Sequence, residues 1–82
     1  MIMVDVFVPV LNNQYNFKLN NECPISIVIE EMADMIAQKE RTQLVGDKNK
    51  LELCIKKDRK ILSKQKSLSE CGIENGSLLM LI

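Results

Sequence analysis

The chain has no histidine and no tryptophan. Its 82 residues include only three glycines, two prolines, two phenylalanines and one tyrosine. Without histidine it lacks the side chain that most often moves protons near neutral pH, which is also the commonest metal ligand. The three cysteines, Cys23, Cys54 and Cys71, are odd in number and widely spaced. They form neither a disulfide framework nor a zinc-ligand pattern, and free thiols point to a reducing compartment, the cytosol. Cys71 falls in a turn expected to bury it, while Cys54 is expected to be exposed. Cys54 has no activating histidine or paired acid close in sequence, and a buried Cys71 thiol is a small hydrophobe. No glycine-rich phosphate loop occurs. An enzyme is therefore not expected, nor a metal, a cofactor or a small-molecule substrate.

Two further absences bear on location and partners. No apolar run approaches the roughly 18 residues of a membrane span, so direct insertion is not expected. Met1-Ile2-Met3-Val4-Asp5 lacks a basic stretch and carries an early acid, which argues against a signal peptide. Aromatic residues are few and are not interleaved with the lysines of segment 48–66, which leaves base stacking little to work with, so nucleic acid is not an expected partner.

Hydrophobic residues make up 46% of the chain, enough for a globular core. A chain of this length buries roughly 60% of its unfolded surface, which suits a single domain over residues 1–82. Formal charge balances at 11 basic and 11 acidic residues, but unevenly. Lys48, Lys50, Lys56, Lys57, Arg59, Lys60, Lys64 and Lys66 share one segment, whereas Asp5, Glu22, Glu30, Glu31, Asp34, Glu40 and Asp47 make the first half acidic. The simplest reading of segment 48–66 is a solvated hairpin and loop; attraction of an acidic partner or nucleic acid is the alternative.

Periodicity supplies the elements. Over residues 2–8, Val4, Val6 and Val8 fall on one face and Met3, Asp5 and Phe7 on the other, the alternation of a strand that Pro9 ends. Asn12-Asn13 is a turn signal, after which Tyr15, Phe17 and Leu19 alternate with polar residues and complete a hairpin. Pro24 suits the first turn of a helix running to about Arg41. Ile25, Val28, Ile29, Met32, Met35 and Ile36 form its apolar stripe, and Glu30, Glu31, Asp34 and Gln38 its polar face. Gly46 to Asn49 reads as a loop. Leu51, Leu53 and Ile55 alternate with Glu52, Cys54 and Lys56 in a third strand. Lys57-Asp58-Arg59 turns into a short strand at Lys60-Ile61-Leu62. Leu68 and Ile73 anchor a compact turn, and Asn75-Gly76 leads into a last strand, Ser77 to Ile82. Hairpin, helix, strand, short strand, anchored turn and strand predict an α+β fold. One helix packs on a mixed sheet of four to five strands with the first and last strands parallel, a β-grasp.

This layout is similar to that of ubiquitin, in the spacing of Leu62, Leu68 and Ile73 ahead of alternating Leu79 and Leu81. The segment Leu68-Ser69-Glu70-Cys71-Gly72-Ile73-Glu74-Asn75-Gly76, with the helix start Pro24 and Val28-Ile29, resembles the YukD/EsaB-like proteins. These are small ubiquitin-like components of Gram-positive type VII secretion systems. The resemblance implies a non-catalytic accessory protein whose partners are cytosolic domains of the secretion machinery, peripheral to the membrane only through them. Ubiquitin and sulfur carriers act through a flexible tail ending in Gly-Gly, whose glycines thread a narrow channel. No Gly-Gly occurs in this sequence, so conjugation is not expected. A fragment of a longer modifier, sulfur carrier or other protein is the alternative.

What remains is binding. With Val4, Val6, Val8, Leu51, Leu53, Ile55, Leu79 and Leu81 facing the helix, the opposite face of the sheet carries Met3, Phe7, Cys54, Leu78, Met80 and Ile82, rimmed by Asp5, Lys18, Glu52 and Lys56. A contiguous exposed apolar patch marks a partner site. These six residues are the candidate protein-binding site, with homodimerisation through the same face as an alternative use.

Overall fold

The computed structural model describes residues 1–41 and 48–82. It contains β1 (Ile2–Val8), β2 (Asn13–Leu19), α1 (Ile25–Glu40), β3 (Leu53–Ile55), β4 (Lys60–Ile61) and β5 (Leu78–Leu81), with short 3-10 turns at Pro9–Leu11 and Lys48–Lys50. The strands form one mixed sheet in the order β2-β1-β5-β3-β4. β1 runs parallel to β5 and antiparallel to β2; β5 is antiparallel to β3, and β3 to β4. One helix on this sheet is the ubiquitin-like β-grasp architecture that the hydrophobic pattern calls for. The Gly46-Asp47 part of the expected loop lies outside the described residues.

The core sits between α1 and the inward face of the sheet. Val4, Val6, Val8, Tyr15, Phe17, Leu19, Leu53, Leu79 and Leu81 meet Ile25, Val28, Ile29, Met32, Ala33 and Ile36 there. Each fully buried aliphatic side chain contributes roughly 1.5–3 kcal/mol by leaving water. Met35 departs from the expected stripe and is 43% exposed. At about 100° per residue it lies roughly a quarter-turn from the centre of the buried stripe, on the flank that faces β2. Pro24 precedes the helix at its N-cap position rather than inside the first turn, with ψ 142. Arg41 closes the other end in a left-handed conformation, its N–H donating to Ala37 O.

The segment from Ser67 to Ser77 ties the two ends of the chain to the helix start. Leu68 is fully buried and Ile73 is nearly so, as their anchoring role requires. Ser67 and Glu70 form a reciprocal pair: Ser67 N–H donates to Glu70 Oε1 at 2.9 Å, and Glu70 N–H donates to Ser67 Oγ at 3.1 Å. This is the hydrogen-bond arrangement of a capping box, here holding a single turn closed by Cys71 N–H donating to Ser67 O at 3.1 Å. Ile25 N–H donates to Lys66 O at 2.8 Å, and Ser69 N–H to Asn21 O at 2.9 Å, so the turn also positions α1. Gly76 stands at φ +83, and its N–H donates to Met3 O at 2.8 Å, delivering the chain into β5 beside β1. No buried side-chain nitrogen or oxygen among the described residues lacks a hydrogen-bond partner.

Candidate functional site: the outer face of the sheet

Register decides which outward side chains become neighbours. Phe7 stands opposite Met80, Met80 opposite Cys54, and Cys54 opposite Ile61. These four form one row across four strands, extended at β2 by Gln14. A second row contains Asn16, Asp5 and Leu78, with Lys56 beside Leu78 through its N–H bond to Leu78 O at 3.2 Å. Ile82 lies beyond Met80 and exchanges backbone hydrogen bonds with Glu52. Leu78, Met80 and Ile82 therefore line β5 as a stripe, which the Phe7 row crosses.

Five of the six sequence-derived candidates gather around this crossing. Met3 shares the face but not the cluster. It pairs with Lys18 at the far end of β1, beyond Asp5, whose carboxylate accepts a hydrogen bond from Asn16 Nδ2 at 3.0 Å. Cys54 lies in the centre of the row, but its expected exposure is corrected: only 1% of its surface meets solvent. Its short side chain stands between the longer Met80 and Ile61, and its Sγ lies 3.5 Å from Met80 O. Burial raises the thiol pKa above its ordinary value, with a smaller opposing effect from Arg59. Cys54 is thus a filler beneath the patch rather than a reactive group on it. Cys71, expected to be buried, is half-buried against the core.

Ile61 is the residue that sequence reasoning missed. It is 57% exposed, more than Leu78 at 40% or Ile82 at 47%. Its signal was the alternation of Lys60, Ile61 and Leu62: Leu62 is buried, so Ile61 must point the other way.

Besides Asp5, two more of the rim charges are engaged. Lys56 Nζ lies 4.6 Å from the centroid of the Phe7 ring, a cation–π contact. The lysine covers part of the Phe7 ring, and Phe7 and Met80 are both only half-exposed. Glu52 pairs with Lys64 at 3.6 Å. Within the basic segment Lys50, Lys57, Arg59, Lys60 and Lys66 are exposed, while Lys64 also donates to Asn49 O at 2.7 Å. Among the described residues no cluster of His, Cys, Asp or Glu could hold a metal ion, and no helix is long and apolar enough to cross a membrane.

The fold and this apolar outer face define a ubiquitin-like β-grasp protein. The resemblance to solved ubiquitin-like domains extends over nearly the whole chain. The ubiquitin-like domain of EccD5 from Mycobacterium xenopi superposes with a TM-score of 0.79 at 21% identity, covering 99% of this chain and 91% of that one. The N-terminal ubiquitin-like domain of the 4931431F19Rik protein gives 0.76 at 22% identity, covering 99% and 72%. No curated protein sequence matches the chain significantly. Residues 3–81 match the family described as "WXG100 protein secretion system (Wss), protein YukD", and the chain belongs to that family. It is a ubiquitin-like protein associated with type VII secretion.

Proposed function

We propose that this protein is a non-catalytic adaptor of a type VII secretion system in the cytoplasm of a Gram-positive bacterium. Residues 1–82 act as one ubiquitin-like domain that docks onto a cytosolic domain of the secretion machinery. The docking surface is the outer sheet face, with Phe7, Met80, Leu78, Ile82 and Ile61 as contact residues, Cys54 as their packed floor and Met3 at the margin.

The observation that carries this reading is the exposure of Ile61, Leu78 and Ile82 around the Phe7–Met80 row of a secretion-family protein. Contiguous exposed apolar side chains are costly to leave in water and favour a covering partner. The half-buried Phe7 lies beneath the Lys56 ammonium, which can swing aside, since exposed cation–π contacts contribute only about 0.5–1 kcal/mol.

The experiment is an affinity pull-down from the cognate cell lysate, comparing the parent with Met80→Asp and Phe7→Asp. Both variants should keep the parent's circular dichroism spectrum and lose secretion-machinery proteins. Recovery of the same proteins by folded variants would reject the docking face.

A further inference from the structure

The outer edge of β2 is open, and the bonding on its other side identifies which of its backbone groups are free. Met3 N–H donates to Asn75 Oδ1 at 2.9 Å, Asp5 N–H donates to Ser77 O at 3.0 Å, and Met3 O accepts from Gly76 N–H. All of these bonds lie on the side of β1 away from β2. Opposed residues in an antiparallel ladder either exchange both backbone bonds or neither. Lys18 and Asn16, opposite Met3 and Asp5, are therefore non-bonded partners that aim their N–H and C=O groups at the free edge. Gln14 follows in the same alternation, but its N–H is taken by Asn13 Oδ1 at 2.9 Å. Among the described residues no segment pairs with this edge.

Edges of this kind are normally blunted by proline, bulges or charges. β2 has an uninterrupted seven-residue register, contains no proline, and carries Lys18 as its single charge. Beside it, between β2 and α1, runs a cleft lined by Tyr15, Asn16, Phe17, Met35, Ile36 and Lys39. Met35 is 43% exposed there. Lys39 is the one basic or acidic residue in the lining, with Nζ 5.4 Å from the Tyr15 ring centroid. The neighbouring acid, Glu40, is already engaged by the Tyr15 hydroxyl, which donates to Oε1 at 2.9 Å.

We propose that the β2 edge accepts an extended segment of a partner protein as a sixth strand, and that this segment carries an apolar and an acidic side chain at alternate positions. Asn16 and Lys18 supply the main-chain bonds. Because strand side chains alternate, the partner residues flanking Phe17 and Tyr15 both point into the cleft. The apolar one covers Met35 and the carboxylate meets Lys39. A second copy of this chain is the poorer occupant, since Asn13–Leu19 contains no carboxylate to face Lys39 and would bring another Lys18 to the edge.

The test uses the full chain, labelled with nitrogen-15, and a blocked heptapeptide, Thr-Val-Thr-Ile-Thr-Glu-Thr. Two further versions of the peptide are N-methylated at odd or at even amides. Expected are saturating amide shifts at Asn16, Lys18, Met35 and Lys39 by millimolar peptide, lost with one N-methylated version and kept with the other. Lys39→Glu should weaken binding about fivefold, as loss of a favourable exposed ion pair predicts. Several results would overturn the proposal: no shifts at millimolar peptide, shifts centred on Phe7 and Met80, equal binding by both N-methylated versions, or edge shifts that grow with protein concentration alone. None of these readings depends on what docks against the outer sheet face.

Discussion

Substituting the Ser67–Glu70 pair tests whether one small turn sets the stability of the whole fold. Ser67 is 5% exposed and its Oγ accepts the Glu70 N–H; the Glu70 carboxylate accepts the Ser67 N–H in return. Ser67→Ala removes a capping acceptor and should cost about 1 kcal/mol. Glu70→Ala leaves the N–H of a buried residue without its acceptor. It should cost about 1.5 kcal/mol, the low end for a charged acceptor because Glu70 itself is exposed. The two bonds share one geometry, so losing either loosens the other, and the double variant should cost about 2 kcal/mol rather than the additive sum. A chain of 82 residues holds about 4–12 kcal/mol in total, so this is a large fraction of its stability. Thermal unfolding is the assay: Ser67→Ala should lower Tm by about 4–8 °C. The turn also receives the first helical N–H, from Ile25 to Lys66 O, so loss should be cooperative rather than a local fraying. Strictly additive costs, or single variants that melt with the parent, would refute the reasoning.

Three further outcomes are expected. In a thiol-labelling time course the half-buried Cys23 and Cys71 should react with a disulfide reagent before Cys54, which should react only as fast as the fold opens; early labelling of Cys54 would contradict its burial. Stability should fall on the alkaline side. The pKa of Cys54 is raised above 9.0 by burial, and that of Tyr15 above 10.0 by burial and then by its bond to Glu40. The folded state therefore keeps protons that the unfolded chain releases. The stabilisation is complete below those ordinary values and is lost as pH rises through the folded ones, with a limiting slope of about 1.4 kcal/mol per pH unit per proton in urea titrations. Gly76→Ala should cost about 1–2 kcal/mol, because a Cβ there meets nothing within 4 Å yet φ stays at +83; an unchanged urea midpoint would show that the turn relaxes freely.

Much of this protein was determined by local order in its sequence. Alternation in Ile2–Val8 and Tyr15–Leu19, the apolar spacing from Ile25 to Ile36, and the anchors Leu68 and Ile73 each follow from side-chain period and backbone chemistry. They therefore specify an α+β fold, which hydrophobic side of each element turns inward, and by elimination the outward residues of β1 and β5. Local order does not set register between distant strands. The opposition of Phe7, Met80, Cys54 and Ile61 depends on how β1, β5, β3 and β4 slide past one another. For the same reason Cys54 is covered by its cross-strand neighbours although it points away from the core, and Met35 is uncovered although it is apolar on the helix. Exposure is a property of neighbours, and neighbours from opposite ends of a chain are assigned only when the sheet closes.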